Sequence, residues 1–161
     1  MLLGACQSNP FRINGFAKKL ADGDTIVLTK DYEKRGAAAD MAVVKDGKFK
    51  FSGMADSTLL CMVYLKGKPY VAASFCLEPG TITIELGEHL AASRVSGTKL
   101  NNEWQALNDT IIKYVTDITA ASSFSYELAH KSDSILKDRL TEFIQRNHDN
   151  PLGKMLEESR L

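Results

Sequence analysis

The chain has 161 residues, 44% hydrophobic and 25% charged, the proportions of one compact domain with a real core and too few residues for two full domains. Lys and Arg number 20 and Asp and Glu number 20, which leaves no basic field to hold phosphates and makes nucleic acid an unexpected partner. No apolar run approaches the roughly 20 residues that a membrane-spanning helix needs.

Residues 1–10 read as a signal remnant and tether. Leu3-Gly4-Ala5-Cys6 resembles the bacterial lipobox, in which the Cys sulfur is acylated and a peptidase cuts just before it. Gly4 and Ala5 supply the small side chains a narrow peptidase cleft accepts. Only Met1, Leu2 and Leu3 precede Gly4-Ala5-Cys6, so the start is expected to be the end of a longer signal. Cys6 is therefore the predicted lipidation site, with the membrane as its partner, and each buried acyl CH₂ would contribute about 0.8 kcal/mol to attachment.

Residues 11–98 alternate short apolar stretches with turn signals, the pattern of an antiparallel β-sandwich or open barrel. Segments 11–16 and 25–29 read as strands, with Asp22-Gly23 marking the turn between them. Residues 41–53 form the clearest predicted hairpin, because Asp46-Gly47 suits the positive φ angles of a type I′ turn. Lys45 should then face Lys48 and the pairing should run outward. Ala42, Val44, Phe49 and Phe51 would share a buried face, with Val43, Lys45, Lys48 and Lys50 on the other.

Segments 59–66 and 70–77 predict a second hairpin around Gly67-Lys68-Pro69. A four-residue loop sets Cys61 opposite Cys76, and a two-residue loop makes them diagonal neighbours. In both registers they share a face. The two are candidates for a disulfide or for adjacent, buried, reduced thiols. In segment 81–86, Ile82, Ile84 and Leu86 face one way and Thr81, Thr83 and Glu85 the other. A short strand at 93–96 closes the β region.

After Gly97-Thr98 the period changes to that of helices. Trp104, Leu107, Ile111, Val115 and Ile118 recur at steps of three and four, with Asn101 or Asn102 as the expected N-cap. A second helix spans 126–146, presenting Leu128, Leu136, Leu140, Phe143 and Ile144. Asn150-Pro151 opens a short third, with proline where the missing N–H costs nothing. The expected fold is α+β: an antiparallel β domain over 11–98, then two to three C-terminal helices as an appendage over 99–161.

Several segments occur together in order: Phe11-Arg12-Ile13-Asn14-Gly15, Asp46-Gly47-Lys48-Phe49-Lys50-Phe51-Ser52-Gly53, Phe75-Cys76-Leu77-Glu78-Pro79-Gly80, Val95-Ser96-Gly97-Thr98 with Asn101, and Asn150-Pro151. Together they resemble the N-terminal domain of unknown function that precedes a thioredoxin-like module in lipid-anchored thiol-disulfide oxidoreductases of Bacteroides-type bacteria. The similarity covers nearly all of the chain after residue 10. Gly15, Gly53 and Gly80 are expected at strand ends or turns where a side chain would be awkward. Redox activity of such enzymes needs a low-pKa thiolate with a resolving Cys two residues away. Cys6, Cys61 and Cys76 do not make that motif, so the activity is not carried over. The resemblance implies either a lipid-anchored cell-envelope domain with a binding, interaction or spacer role, or an accessory segment of a thiol-disulfide oxidoreductase.

Other chemistry-bearing residues form no catalytic constellation, and neither a metal nor a cofactor is predicted. His89, His130 and His148 lie far apart with no HExxH or Cys-x-x-Cys companion. Asp22-Gly23-Asp24 lacks the later ligands of a calcium loop and is explained by Asx turn chemistry. Ser96-Gly97 has no G-x-S-x-G frame, and Glu157-Glu158, adjacent on a helix, do not face each other. Tyr32, Tyr64, Tyr70 and Trp104 could line a groove, but core and sheet packing accounts for such aromatics more simply.

Overall fold

The computed structural model describes the backbone of residues 9–30, 38–122, 126–149 and 151–158, with side chains described outside 117–132, 151–152, 155 and 158. Eight strands come first: β1 (Pro10–Phe16), β2 (Thr25–Thr29), β3 (Asp40–Val43), β4 (Lys48–Met54), β5 (Leu59–Leu65), β6 (Lys68–Leu77), β7 (Gly80–Glu85) and β8 (Arg94–Ser96). Three helices follow: α1 (Lys99–Ser122), α2 (Tyr126–Arg146) and α3 (Pro151–Glu158). The strands form two four-stranded sheets, in orders β4-β1-β7-β8 and β3-β2-β5-β6. The fold is therefore α+β, a β-sandwich followed by helices.

Alternation builds the first sheet. Ile13, Phe49, Phe51, Ile82 and Ile84 are buried against the second sheet, while Arg12, Lys48, Lys50, Thr81 and Glu85 face out. The second sheet lacks this alternation, because β5 and β6 are buried on both faces and so read as continuous apolar runs. Trp104 of α1 donates its indole N–H to Ser74 Oγ at 3.3 Å, which sets Ser74, Cys76, Leu60 and Met62 on the helix side. Cys61, Val63, Ala73 and Phe75 consequently point into the sandwich. Trp104 and Phe143 lie with ring centroids 6.2 Å apart and join α1 to α2.

The Asp46-Gly47 turn forms as expected, with φ of 50° and 66° and Lys45 bridged to Lys48. The facing is also as expected for Val44, Phe49 and Phe51, which are buried, and for the exposed lysines. The pairing does not run outward, however. β3 pairs with β2 in one sheet and β4 with β1 in the other, so this turn is a corner between sheets. The aromatic rings explain the divergence: a Cβ on Gly15 would lie 2.2 Å from the Phe49 ring, and one on Gly53 would lie 2.9 Å from the Phe11 ring. Gly15 pairs with Phe49 and Phe11 with Gly53, giving two reciprocal ring-over-glycine pairs that fasten β4 to β1. Both glycines thus lie within strands, and a ring fills the place of each missing side chain. A second difference is that β1 and β7 pair in parallel; the whole second sheet supplies the long connection a parallel pair requires.

The β5–β6 register also differs. Leu60 pairs with Cys76 and Cys61 with Phe75, with an irregularity between Tyr64 and Leu65. That bulge shifts the register by one residue from either expected loop, and a one-residue shift moves a side chain to the opposite face. Cys61 and Cys76 are therefore neighbours along the ladder on opposite faces of the sheet.

The helices follow the apolar period, with one exception. Trp104 and Leu107 are buried and Ile111 is half-buried, but Val115 is exposed, being on the part of α1 beyond the sandwich. In α2, Phe143 and Ile144 are buried and Leu136 and Leu140 half-buried. Ile118, Leu128 and the Asn150 cap lie outside the described residues.

Candidate functional site

Polar chemistry in the interior is concentrated where β6, the turn after it and β8 meet the start of α1. Helix α1 begins at Lys99, one turn earlier than an Asn101 or Asn102 cap would place it. A glutamate does the capping: Glu78 Oε1 accepts from Thr98 Oγ1 at 2.5 Å, Leu100 N at 3.1 Å and Asn101 N at 3.3 Å. A carboxylate here satisfies first-turn amides and complements the positive end of the helix. Gly97, at φ 103°, makes the entry; a Cβ there would lie 2.4 Å from the Thr81 carbonyl oxygen.

Asn101 is relieved of capping and performs a different task. It is fully buried, its Oδ1 accepts from Cys76 N at 2.8 Å, and its Nδ2 donates to Cys76 O at 2.8 Å and to Thr98 Oγ1 at 2.8 Å. One side-chain amide thus replaces the strand that would otherwise pair with β6. The neighbouring edge is treated likewise, since Gln105 Oε1 accepts from Val95 N at 2.7 Å and Asn102 Oδ1 from Gly97 N at 3.2 Å. Ser93 Oγ donates to the Ala72 carbonyl at 2.7 Å. The first turns of α1 seal one open side of the sandwich with side-chain amides.

The two thiols take part only as packing. Cys61 and Cys76 are free and fully buried. Burial pushes the Cys61 thiol up to about 12, with Lys30 opposing slightly. Burial also raises Cys76, assisted by the negative charges of Glu78, Cys61 and Glu103. A thiol that resists ionisation is a poor nucleophile, and opposite faces of a sheet prevent a disulfide between the two.

The remaining sequence candidates do not converge. His89 and His148 are exposed, with His148 Nδ1 2.8 Å from the Gln145 carbonyl oxygen. Asp22 Oδ1 accepts from Asp46 N at 2.8 Å and Asp24 Oδ2 from Ala21 N at 3.0 Å, which is turn chemistry as expected. Ser96 and Glu157 are exposed on different elements. Tyr64 is half-buried, Tyr70 exposed and Trp104 buried, so no aromatic groove is assembled from them. Cys6 and Tyr32, and the side chains of His130 and Glu158, lie outside the described residues. Among the described residues no group of three or more His, Cys, Asp or Glu could hold a metal, and no helix is long and apolar enough to cross a membrane.

Among the described residues the larger concavities are open grooves. A groove of about 420 Å³ between α1 and α2 is lined by Glu103, Lys113, Tyr114, Arg139 and Arg146, among others. A cleft of about 380 Å³ on the side away from α1 is lined by Arg12, Asn14, Asp40, Lys50, Phe51 and Ser52, with Ile13. Sequence reasoning missed the roles of Glu78 and Asn101. The available signal was their place inside the two quoted segments, 75–80 and 95–101, which meet in space here as 11–15 and 46–53 meet in the β1–β4 pair. No curated protein and no solved structure matches the chain. A family model does match residues 11–104, more than half of the chain and from β1 into the first turns of α1, and on that match the chain belongs to the family described as Domain of unknown function (DUF4369).

Proposed function

We propose that this chain is a non-catalytic interaction or spacer domain of the bacterial cell envelope, held to a membrane through lipid on Cys6. The observation that carries the non-catalytic half is where the signature segments lie. They serve to fasten β4 to β1 and α1 to the sandwich, and their one cysteine, Cys76, is buried, sealed beneath Asn101 and resistant to ionisation. Residues that meet in this way build a scaffold, whose products are surfaces rather than a reaction centre. The anchor rests on Leu3-Gly4-Ala5-Cys6 and on its place just ahead of a polar stretch and the first strand.

Detergent-phase partitioning of chain expressed with a full lipoprotein signal tests the anchor. Wild type should enter the detergent phase and Cys6→Ser should remain aqueous; equal partitioning of both overturns it. A second reading, as the accessory N-terminal domain of a thiol-disulfide oxidoreductase, is favoured by the order of the signature segments. An in-frame Cys-x-x-Cys segment in the DNA beyond the Leu161 codon would support it.

A further inference from the structure

Each sheet ends in two edge strands: β3 and β6 in one, β4 and β8 in the other. An edge presents a row of N–H and C=O groups that pairs readily with another chain unless something covers it. Three edges are covered at particular atoms: β6 by Asn101 and Ser93, β8 by Gln105, and β3 by Asp40 Oδ1, which accepts from Met41 N at 2.7 Å. Among the described residues the fourth, β4, is covered only at its start, where Lys48 exchanges both backbone bonds with Lys45.

Strand periodicity identifies which groups remain open. Lys48 points its N–H and C=O away from β1, whereas Ala55 N donates to Asn9 O on the β1 side at 2.8 Å. Alternation then directs Phe49, Phe51 and Gly53 toward β1, and Lys50, Ser52 and Met54 outward. All three of the outward residues are exposed. The cleft of about 380 Å³ is lined by Lys50 and Ser52 and also by Asp40 of β3.

We propose that the β4 edge from Lys50 to Met54 is a docking site for an extended acidic peptide segment, which adds a strand to the first sheet. This deepens the interaction half of the function proposed above and rests on it. The mode is strand addition, in which main-chain bonds give affinity and alternate side chains give selectivity. Selectivity follows from the row that an added strand would lie against. Lys48, Lys50 and Ser52 are on the outer face, and Arg12 pairs with Ser52 immediately behind them. The one carboxylate in the cleft lining, Asp40, accepts from Met41 N. Cross-strand pairs of opposite charge are favourable and like charges directly opposite are not, so carboxylates at alternate positions fit this row. A parallel in-register copy of β4, or an antiparallel one centred on Lys50, would set lysines beside lysines, which disfavours those self-pairings relative to a foreign acidic strand.

The test titrates the whole purified chain with an acetylated, amidated hexapeptide that alternates glutamate and valine, and with its lysine and valine counterpart. Amide hydrogen exchange is read by NMR. The glutamate peptide should slow exchange at Lys50, Ser52 and Met54 by at least about tenfold, should weaken as salt rises, and should outbind the lysine peptide. Lys48→Glu with Lys50→Glu should reverse that preference. Ser52→Pro should abolish binding, since the N–H it removes points away from β1 and carries no ladder bond. If Ser52→Pro does not fold, the charge reversal decides. Equal binding of the two peptides, absence of binding at millimolar peptide, protection confined to the α1–α2 groove, or dimerisation that protects these amides without peptide would each overturn the proposal. Amide exchange and detergent partitioning are independent readouts, so the edge and the anchor can fail separately.

Discussion

Replacing Asn101 with alanine removes the side chain that completes the β6 edge, and its cost can be worked from the contacts. Asn101 is fully buried, so nothing from solvent takes its place. The substitution leaves two backbone groups, Cys76 N and Cys76 O, without the partners each now has at 2.8 Å. A buried donor or acceptor left unmade costs about 1–3 kcal/mol, so the pair costs roughly 2–6 kcal/mol, with a value near 4 expected. The lost contact to Thr98 Oγ1 is the least costly, because that hydroxyl keeps Glu78 as an acceptor. Against a total stability of about 5–15 kcal/mol for a domain of this kind, such a loss is large. Urea unfolding followed by far-ultraviolet circular dichroism gives the value as a shift in midpoint. Gln105→Ala, which frees the partly buried Val95 N and leaves the exposed Asp109 carboxylate to Arg94, should cost about 1 kcal/mol. A loss below about 1 kcal/mol for Asn101→Ala, or equal losses at the two positions, would refute the idea that an amide side chain stands in for a missing strand.

Gly15→Ala should destabilise by about 1–3 kcal/mol although alanine is ordinarily better than glycine in a strand, because its Cβ would lie 2.2 Å from the Phe49 ring; combining it with Phe49→Leu should recover part of the loss, and strict additivity in denaturation would count against the ring-over-glycine pair. The thiols predict a pH dependence of defined sign. Cys61 is held protonated in the folded state up to about 12, above its value in an unfolded chain, so stability is constant below about pH 9 and falls above it by up to about 1.4 kcal/mol per pH unit per thiol. The stability advantage of wild type over Cys61→Ala should therefore shrink between pH 8.5 and 10, and a constant difference would show that the thiol is not desolvated.

The legible parts of the fold were those set by local chemistry. Apolar alternation marked β7, with Ile82 and Ile84 inward, and Asp46-Gly47 marked a turn whose φ angles are as a type I′ turn requires. The partners of the strands were less legible, since a tight turn shows that the chain reverses but not that its two arms remain in one sheet. Phe49 over Gly15 and Phe11 over Gly53 decided that, and contacts between residues 34 and 42 positions apart in the chain leave no periodic trace. The register of β5 with β6 turned on one bulge at Tyr64 and Leu65. A single added residue lies below the resolution of any loop-length argument, yet it moves Cys76 to the other face from Cys61. Asn101 looked like a helix cap because asparagine usually is one there; Glu78, 23 residues earlier, took that role through space.

The two sides of the sandwich differ in a way that bears on how an anchored form would work. On the α1 side, side-chain amides from Asn101, Asn102 and Gln105 close backbone groups that could otherwise recruit another chain. On the opposite side the exposed end of β4 lies beside the entry of the tether, because Asn9 O accepts from Ala55 N at 2.8 Å and Pro10 pairs with Met54. From Cys6 to Asn9 is three residues, a reach of at most about 10 Å. A lipid on Cys6 would accordingly hold the Met54 end of the β4 edge near the membrane surface, and a strand docked there would lie beside the bilayer. The two sides are thus chemically different: on the α1 side amide side chains close backbone groups, and on the β4 side Lys50, Ser52 and Met54 turn theirs outward.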